Sequence, residues 1–561
     1  MPEAIIDAAA RSHTRALILL VTVALLSFLP GFFAIPPVDR DEATFAQSTK
    51  QMIESGNYAD IRFRDAPRYR KPPGIYWMQA ATVLAARAVG FRHALTTIWL
   101  YRLPSLAGAI AAVWLTYWTA LALVSRRAAV LAGLMMVSCA VLGIEARLAT
   151  TDAMLLLATV GAMGALARVY LSSHGRPQSA PGRWTSAAAF WTALAAGALL
   201  KGPVILMVAG LCAIMLSIRD RSVKWLLGLR PVAGLVWLTT LTLPWFLFIY
   251  SQSGSAFPEA WAEDILPKML QGMEGHNGPP GYYLALFWVT FWPGCALAGL
   301  AAPAVLAARR TPATAFLLAW LLPSWAVFEL AGTKLPHYVL PLYPSVAMLI
   351  AGVVDARELS RRPWLVRGAI WGAVLPTLVG ALSIAALIMM SHQWSPLVWL
   401  LPGVAVAISI SGWRHLARGG AERALLFGVM AALLMSAGVF GVIVPRLRAV
   451  FPSAALAELL EASGCAERRA VTSFTFDEPS LVFLAGTETK ATDIFGAVGF
   501  LSAGPCRFAF VDTADADRFA GQAASTRLRY RPAGRIEGIN YTKATAFSLV
   551  VYWSGAEHRA K

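Results

Sequence analysis

The chain has 561 residues, 57% of them hydrophobic and only 14% charged, with a mean hydropathy of +0.59. A soluble protein of this length carries roughly 25% charged residues, so the composition excludes a water-soluble enzyme and indicates an integral membrane protein. The net charge of +17 and pI near 10.0 call for no nucleic acid, because basic cytoplasmic loops and anionic lipid head groups account for such an excess.

In chain order, the N-terminal MPEAIIDAAARSHTR runs into the apolar segment 15–34 without a small-residue cleavage site, so this segment is expected to remain as a first membrane helix. Residues 35–101 follow as a long connector that opens on Asp39, Arg40, Asp41 and Glu42 and continues to RYRKPPG, with Arg68, Arg70 and Lys71. Pro72 and Pro73 restrict the backbone there and so fix where Lys71 points. The next apolar stretch, 73–91, contains Gln79 and Arg87. Further apolar segments lie near 102–124, 128–146, 152–171, 186–200, 202–218, 229–250, 282–307, 313–331, 336–354, 367–390, 396–413 and 421–444, the lengths expected of membrane helices. From about 445 the chain turns polar. SAALAELLEAS reads as a helix capped by Ser453, and RRAVTSFTF, CRFAFVD, STRLRYRP and AFSLVVYW read as strands. The fold class is therefore an α-helical polytopic membrane domain, 1–444, with a small α+β domain, 445–561.

Charge orients the chain. With Arg11 and Arg15 cytoplasmic, the connectors Arg126–Arg127, Arg219–Lys224, Arg309–Arg310, Arg357–Arg367 and Arg414–Arg423 all fall outside if 73–91 crosses, and all inside if it does not. Segment 73–91 is accordingly expected as an interfacial helix, leaving thirteen crossings and an extracytoplasmic C-terminus. Cys139, Cys212 and Cys295 sit in apolar runs as small buried hydrophobes. Cys465 and Cys506 can pair only if the tail lies outside the cytoplasm.

Most of the unusual polar residues then share the outer face. Asp41 and Glu42 suit general-base work or an ion; as a plain reading they are solvated charges at a helix end. Arg70 and Lys71 suit a phosphate clamp, or else snorkel at head-group level. EARLATTD offers Arg147 and Asp152, the latter also a ready helix cap. LLKGP places Lys201 in a tight turn, EGHNGPPGYY supplies Glu274, His276 and Tyr283, and GTKLPHYVLPLYP supplies Lys334, His337, Tyr338 and Tyr343. Cations, carboxylates and lipid access on one face point to a phosphorylated polyprenol carrying a sugar.

The ordered set DE, KPP…YW, R…TTD, KGP and TKLPHYVLPLYP, over roughly residues 15–350, resembles the bacterial lipid A aminoarabinose transferases and the wider protein O-mannosyltransferase-like family of GT-C glycosyltransferases. The resemblance implies a polyprenyl-phosphate-linked sugar donor, lipid A or another glycolipid as acceptor, contact with membrane lipids, and a bacterial inner-membrane location with the C-terminus periplasmic. It matches Asp41 and Asp152 to the family's acidic residues in the first and second outer loops. Lys71 matches its lipid-phosphate lysine and Tyr338 its motif tyrosine. Two positions depart from the aminoarabinose enzymes: Thr44 stands for their Arg, and Arg70 for a Glu that helps bind a metal. Arg70 removes that ligand and adds a cation beside Lys71, which suits a donor or acceptor with extra negative charge. No cofactor is expected, with a divalent metal left open. Two rival readings stand beside the transferase. A lipid-linked sugar flippase would place ionisable groups at mid-membrane, and an O-antigen ligase-like enzyme would use lipid-diphosphate donors.

Overall fold

The computed structural model describes residues 2–69, 71–175, 183–260, 278–391, 395–465, 468–541 and 545–555. Among these, seven helices are long and apolar enough to cross a bilayer: Ile98–Leu123, Asp152–Ser172, Pro231–Ser253, Pro312–Leu330, Pro363–Met390, Pro396–Ala417 and Ala421–Arg446. The pair Tyr282–Thr290 and Cys295–Ala307, bent by 118°, makes an eighth if it is one span. The polytopic helical class is as expected, but the thirteen crossings exceed what helix length and composition support. Several predicted crossings are short. His13–Phe28 has 16 residues and Val204–Asp220 has 17, about 24–26 Å at 1.5 Å per residue against a hydrocarbon core of about 30 Å.

Two segments expected as continuous helices are broken. The 128–146 segment divides at Cys139 into Arg126–Ser138 and Ala140–Glu145. The 282–307 segment breaks just after Thr290, where Pro293 has no N–H to continue the ladder. The two breaks meet each other. The Ala140 N–H donates to the Trp292 carbonyl at 3.1 Å, and the Cys139 thiol to the Thr290 carbonyl at 3.3 Å. Irregular backbone is tolerated at this depth because its polar groups are satisfied within the protein.

After the first helix the chain turns at Gly31, whose φ is +77°. A Cβ here would lie 2.2 Å from the Phe440 carbonyl oxygen, so only glycine lets the turn abut the last membrane helix. Within the connector 35–101, Asp41–Ser55 is a helix with Asp41 and Glu42 in its first turn, where acids favour the dipole, and Gly56 at φ +71° ending it. Residues 73–91 form the helix Gly74–Ala88 of 15 residues, about 22 Å long and too short to cross upright. Its Gln79 is buried as a staple. The amide nitrogen donates to the Ala149 carbonyl at 3.0 Å, and the oxygen accepts from the Thr49 hydroxyl at 2.6 Å.

The tail is a five-stranded mixed sheet in the order Lys490–Ala491, Arg469–Thr472, Arg507–Asp512, Thr545–Trp553, Arg531–Asn540. The first three strands are parallel, and the last two join antiparallel. Alternation along Arg507–Asp512 sends Phe508 and Phe510 toward Leu456 and Leu460, and Ala509 and Val511 toward Val498, Leu501 and Phe519 on the other face. Two local readings need correction. STRLRYRP runs from a helix end at Ser525 through a turn and irregular chain, with the strand beginning only at Arg531. Ser453 lies inside the helix Pro452–Ala462, its hydroxyl 2.6 Å from that of Ser480, so it is no cap.

The tail seats on the helix Asp41–Ser55. Lys50 Nζ donates to the Phe483 carbonyl at 2.9 Å, Gln47 to the Thr487 hydroxyl at 2.9 Å, and the Ser480 N–H to Asp39 at 2.8 Å. Phe483 meets Tyr101 edge-on, with centroids 5.2 Å apart.

Cys465 and Cys506 are disulfide-bonded across 41 residues, tying the helix Pro452–Ala462 to the strand Arg507–Asp512. Closing a loop of this length restricts the unfolded chain by about 4 kcal/mol. Replacing both cysteines by alanine is therefore expected to lower the melting temperature measured in detergent. Intact mass should show two further alkylations only after reduction, and two already present without reductant would count against the bond.

Candidate functional site

The connector between Arg126–Ser138 and Asp152–Ser172 carries two acids, one at each end of a compact turn. Glu145 ends the short helix and Asp152 begins the long one. The Thr150 hydroxyl donates to Glu145 Oε2 at 2.7 Å, and the Ser105 hydroxyl holds the Thr150 carbonyl at 3.0 Å. Both carboxylates are almost fully buried.

Two other turns supply the partners. Lys201 is the last residue of Arg183–Lys201, ahead of Gly202 in the left-handed region at φ +66°. Its ammonium lies 2.5 Å from Asp152 Oδ1 and 4.8 Å from the Tyr338 ring centroid. The acid that pairs with Lys201 thus comes from another turn and not from LLKGP itself. His337 stands between the two carboxylates, with Nδ1 3.4 Å from Glu145 Oε1 and Nε2 3.7 Å from Asp152 Oδ2. Burial holds His337 below the ordinary histidine pKa against the pull of Asp152, and burial with Asp152 close by pushes the Glu145 carboxyl up to about 8.

Gly74 brings Lys71 to this group. A Cβ at Gly74 would lie 2.7 Å from the Leu199 carbonyl oxygen, so the start of Gly74–Ala88 packs backbone-to-backbone against the end of the helix that carries Lys201. Lys71 is close enough for its charge to act on Asp152 and His337, and Asp41 acts on Glu145 and His337. Asp41 is exposed and Lys71 half-buried. Asp41, Lys71, Asp152, Lys201, His337 and Tyr338 are thus brought together.

Other expected site residues have structural partners instead. Glu42 is buried, its two oxygens bound to Arg102 at 2.7 and 2.8 Å and to the Ala149 and Val38 N–H groups at 2.9 and 2.8 Å. Arg147 Nε donates to the Pro30 carbonyl at 2.8 Å, while its other nitrogens bind the Ser27 and Gly143 carbonyls and Ser436. It therefore ties the turn to the first and last membrane helices rather than lining a cavity. Lys334 donates to the Gly278 and Pro279 carbonyls at 2.7 and 3.0 Å and holds that loop end. Tyr283 is buried beside Phe328 and Tyr282, and Tyr343 shares a hydrogen bond with Thr290. Thr44 folds its hydroxyl back onto the Arg40 carbonyl. Arg70, Glu274 and His276 lie outside the described residues. Among the described residues no three His, Cys, Asp or Glu side chains are gathered to hold a metal. A guanidinium at position 70 is no ligand either, so no step below runs through one.

Two buried charged residues beside this group, Glu145 and Arg102, are not singled out by the sequence. Glu145 stands in the quoted EARLATTD, and its spacing of seven from Asp152 across a turn was the available signal. Arg102 had only the signal of an arginine at the start of an apolar run.

Residues 87–254 match the family model described as dolichyl-phosphate-mannose-protein mannosyltransferase. The chain is 25% identical over 428 residues to the undecaprenyl phosphate-alpha-4-amino-4-deoxy-L-arabinose arabinosyl transferase of Pectobacterium carotovorum, covering 74% of this chain and 73% of the relative. Identity to the enzyme of that name in Pseudomonas paraeruginosa is 26% over 432 residues, covering 74% and 76%. Crystal structures of ArnT from Cupriavidus metallidurans, apo and bound to undecaprenyl phosphate, share the fold with a TM-score of 0.71 at 19% identity, covering 96% of this chain and 98% of theirs. The GT-C resemblance read from the motifs is borne out.

Proposed function

We propose that this chain is an integral membrane glycosyltransferase that moves a sugar from a polyprenyl phosphate of the undecaprenyl type to lipid A or another glycolipid. The observation that carries the reading is the convergence of Lys71, Lys201 and Tyr338 with Asp41 and Asp152 at one level, built from turns on the same face of the helical domain. Similarity to the arabinosyl transferases supports the donor class. With the basic connectors cytoplasmic and residues 445–561 a periplasmic domain, this face lies outside.

In this mechanism the donor phosphate lies against Lys71 and Lys201. Asp152 holds Lys201 in place, and the Tyr338 face limits where its ammonium can go. As the bond between the anomeric carbon and the phosphate oxygen breaks, charge grows on the phosphate, and the preset cations stabilise it without reorganising. Arg70 adds a further cation beside Lys71. Asp41, exposed at the rim, orients the acceptor for in-line attack, which inverts the anomeric centre.

The test is reconstitution with undecaprenyl-phosphate sugars and lipid A, with products identified by mass spectrometry. The aminoarabinose donor comes first, and a uronic acid donor tests the extra cation. Lys71→Ala is expected to lower kcat/KM about a hundredfold. Asp41→Asn should lower kcat with donor binding unchanged. Parent rates in a folded Lys71→Ala protein would remove the phosphate clamp.

A further inference from the structure

The connector Arg219–Arg230 carries four cations, Arg219, Arg221, Lys224 and Arg230, against the single acid Asp220. Arg219 is paired with Asp220, which also faces His174. Arg230 stands apart from them. Its backbone is in the left-handed region at φ +50°, which a residue with a Cβ adopts only where its surroundings hold it. It closes the turn Lys224–Leu229 and opens the helix Pro231–Ser253, the least buried of the seven long apolar helices. Its guanidinium lies 3.8 Å from the Trp184 ring centroid, and among the described residues it has no ion pair and no hydrogen bond.

Arg230 and Trp184 belong to the wall of a groove of about 300 Å³ between Pro231–Ser253 and Arg183–Lys201, shared with Ala188, Trp191, Ala233 and Trp237. A Cβ at Gly234 would lie 1.8 Å from Trp191 Nε1, so the two helices are in contact along its floor. The Trp191 indole donates to the Leu229 carbonyl at 2.8 Å and the Trp237 indole to the Thr192 hydroxyl at 2.9 Å, which fixes both rings. Trp184 is exposed, and its N–H has no acceptor among the described residues. A lone arginine or tryptophan at a membrane edge is an ordinary anchor. Here the two are stacked on each other, the cation lacks a counter-charge, and an apolar groove leads away from them along a helix that faces lipid.

We propose that this groove binds one anionic phospholipid from the leaflet that meets the basic connectors. Its phosphate lies on the Arg230 guanidinium and the Trp184 N–H, and an acyl chain runs along the groove between the Trp191 and Trp237 rings. The planar guanidinium fork matches phosphate oxygens, and a basic pocket between membrane helices suits an acidic head group. The excess of cations in Arg219–Arg230 favours an acidic lipid over a zwitterionic one. The helix Arg183–Lys201 begins at this groove and ends on Lys201, so the lipid braces from its far end the helix that presents a cation to the site. The proposal does not depend on the glycosyl-transfer reading.

The test is native mass spectrometry of the full chain in detergent, titrated separately with phosphatidylglycerol, phosphatidylcholine and undecaprenyl phosphate, with thermal unfolding measured alongside. Wild type should bind its tightest phosphatidylglycerol about tenfold better than phosphatidylcholine, the size of one charge-assisted contact. Arg230→Gln should abolish that preference, and Ala233→Phe, which fills the groove from an exposed position, should weaken both phospholipids. Phosphatidylglycerol should raise the unfolding temperature of wild type but not of Arg230→Gln, while the two proteins unfold together in detergent alone. Equal binding of the two phospholipids by wild type, or an unchanged preference in Arg230→Gln, overturns the proposal. Undecaprenyl phosphate that binds through Arg230 and displaces phosphatidylglycerol overturns it too, by giving the groove to the polyprenyl lipid. Should Arg230→Gln not fold, Trp184→Ala and Ala233→Phe decide it, and phosphatidylglycerol binding unchanged in both would end the proposal.

Discussion

Arg102→Ala is expected to leave little folded protein in the membrane, the largest stability effect of any single substitution considered in the helical domain. Arg102 is 0% exposed and all five of its guanidinium N–H groups are engaged. Two bind Glu42, at 2.7 and 2.8 Å. The others reach the Phe32, Ile35 and Pro36 carbonyls at 3.2, 2.7 and 2.9 Å. One side chain thus closes the exit of the first helix onto Ile98–Leu123 and fixes the start of the helix that presents Asp41.

Removing it strands a buried carboxylate and three carbonyls, a loss of about 3–5 kcal/mol. Whole-domain stabilities are about 5–15 kcal/mol, so that is a large share. The check is thermal unfolding in detergent with size-exclusion recovery. A melting temperature within a few degrees of wild type would show the network to be dispensable. The double change Arg102→Leu with Glu42→Leu should recover part of the loss, because replacing a buried pair by apolar groups is often near neutral. Recovery stays incomplete because the Ala149 and Val38 N–H groups lose their acceptor.

Asp152→Asn is expected to carry the largest effect on turnover, a fall in kcat of about a thousandfold. That combines loss of a preset electrostatic group with misplacement of Lys201. Asp152 is the hub of the site, 2.5 Å from Lys201 and facing His337. The neutral amide keeps the shape but leaves the ammonium without its counter-charge. Lys201→Ala should be damaging in a different way, since it leaves Asp152 buried and unpaired. The double variant Asp152→Asn with Lys201→Met separates the two roles. Its unfolding temperature should return toward wild type while activity stays lost. If activity returned with stability, the pair would be structural alone.

The motif positions that come together were visible because each sits in a turn whose punctuation is local. Pro72 and Pro73 precede Gly74, Gly202 follows Lys201, and Pro336 precedes His337. A proline or glycine imposes its backbone preference whatever lies nearby, so such turns can be read without knowing the fold. Glu42, Arg147 and Lys334 were read equally well as charges on the outer face, yet all three spend their polar atoms on packing. Nothing within a few residues marks the difference. The partner of Glu42 is 60 residues away and that of Arg147 at Ser436 is 289 away.

The sequence by itself determined the membrane class, the family resemblance, the turns that carry Lys71, Asp152, Lys201 and His337, and the strands at Arg507–Asp512 and Thr545–Trp553. These follow from apolar run length, local backbone restriction and period-two alternation, all short-range properties of the chain. Only the tertiary structure decided which charges pair. It assigned Arg102 to Glu42 and Lys201 to Asp152, set Glu145 behind His337, and joined the breaks at Cys139 and Trp292 to each other. A buried charge or an open backbone group must find its complement wherever the fold brings one, and distance along the chain carries no information about which one that is.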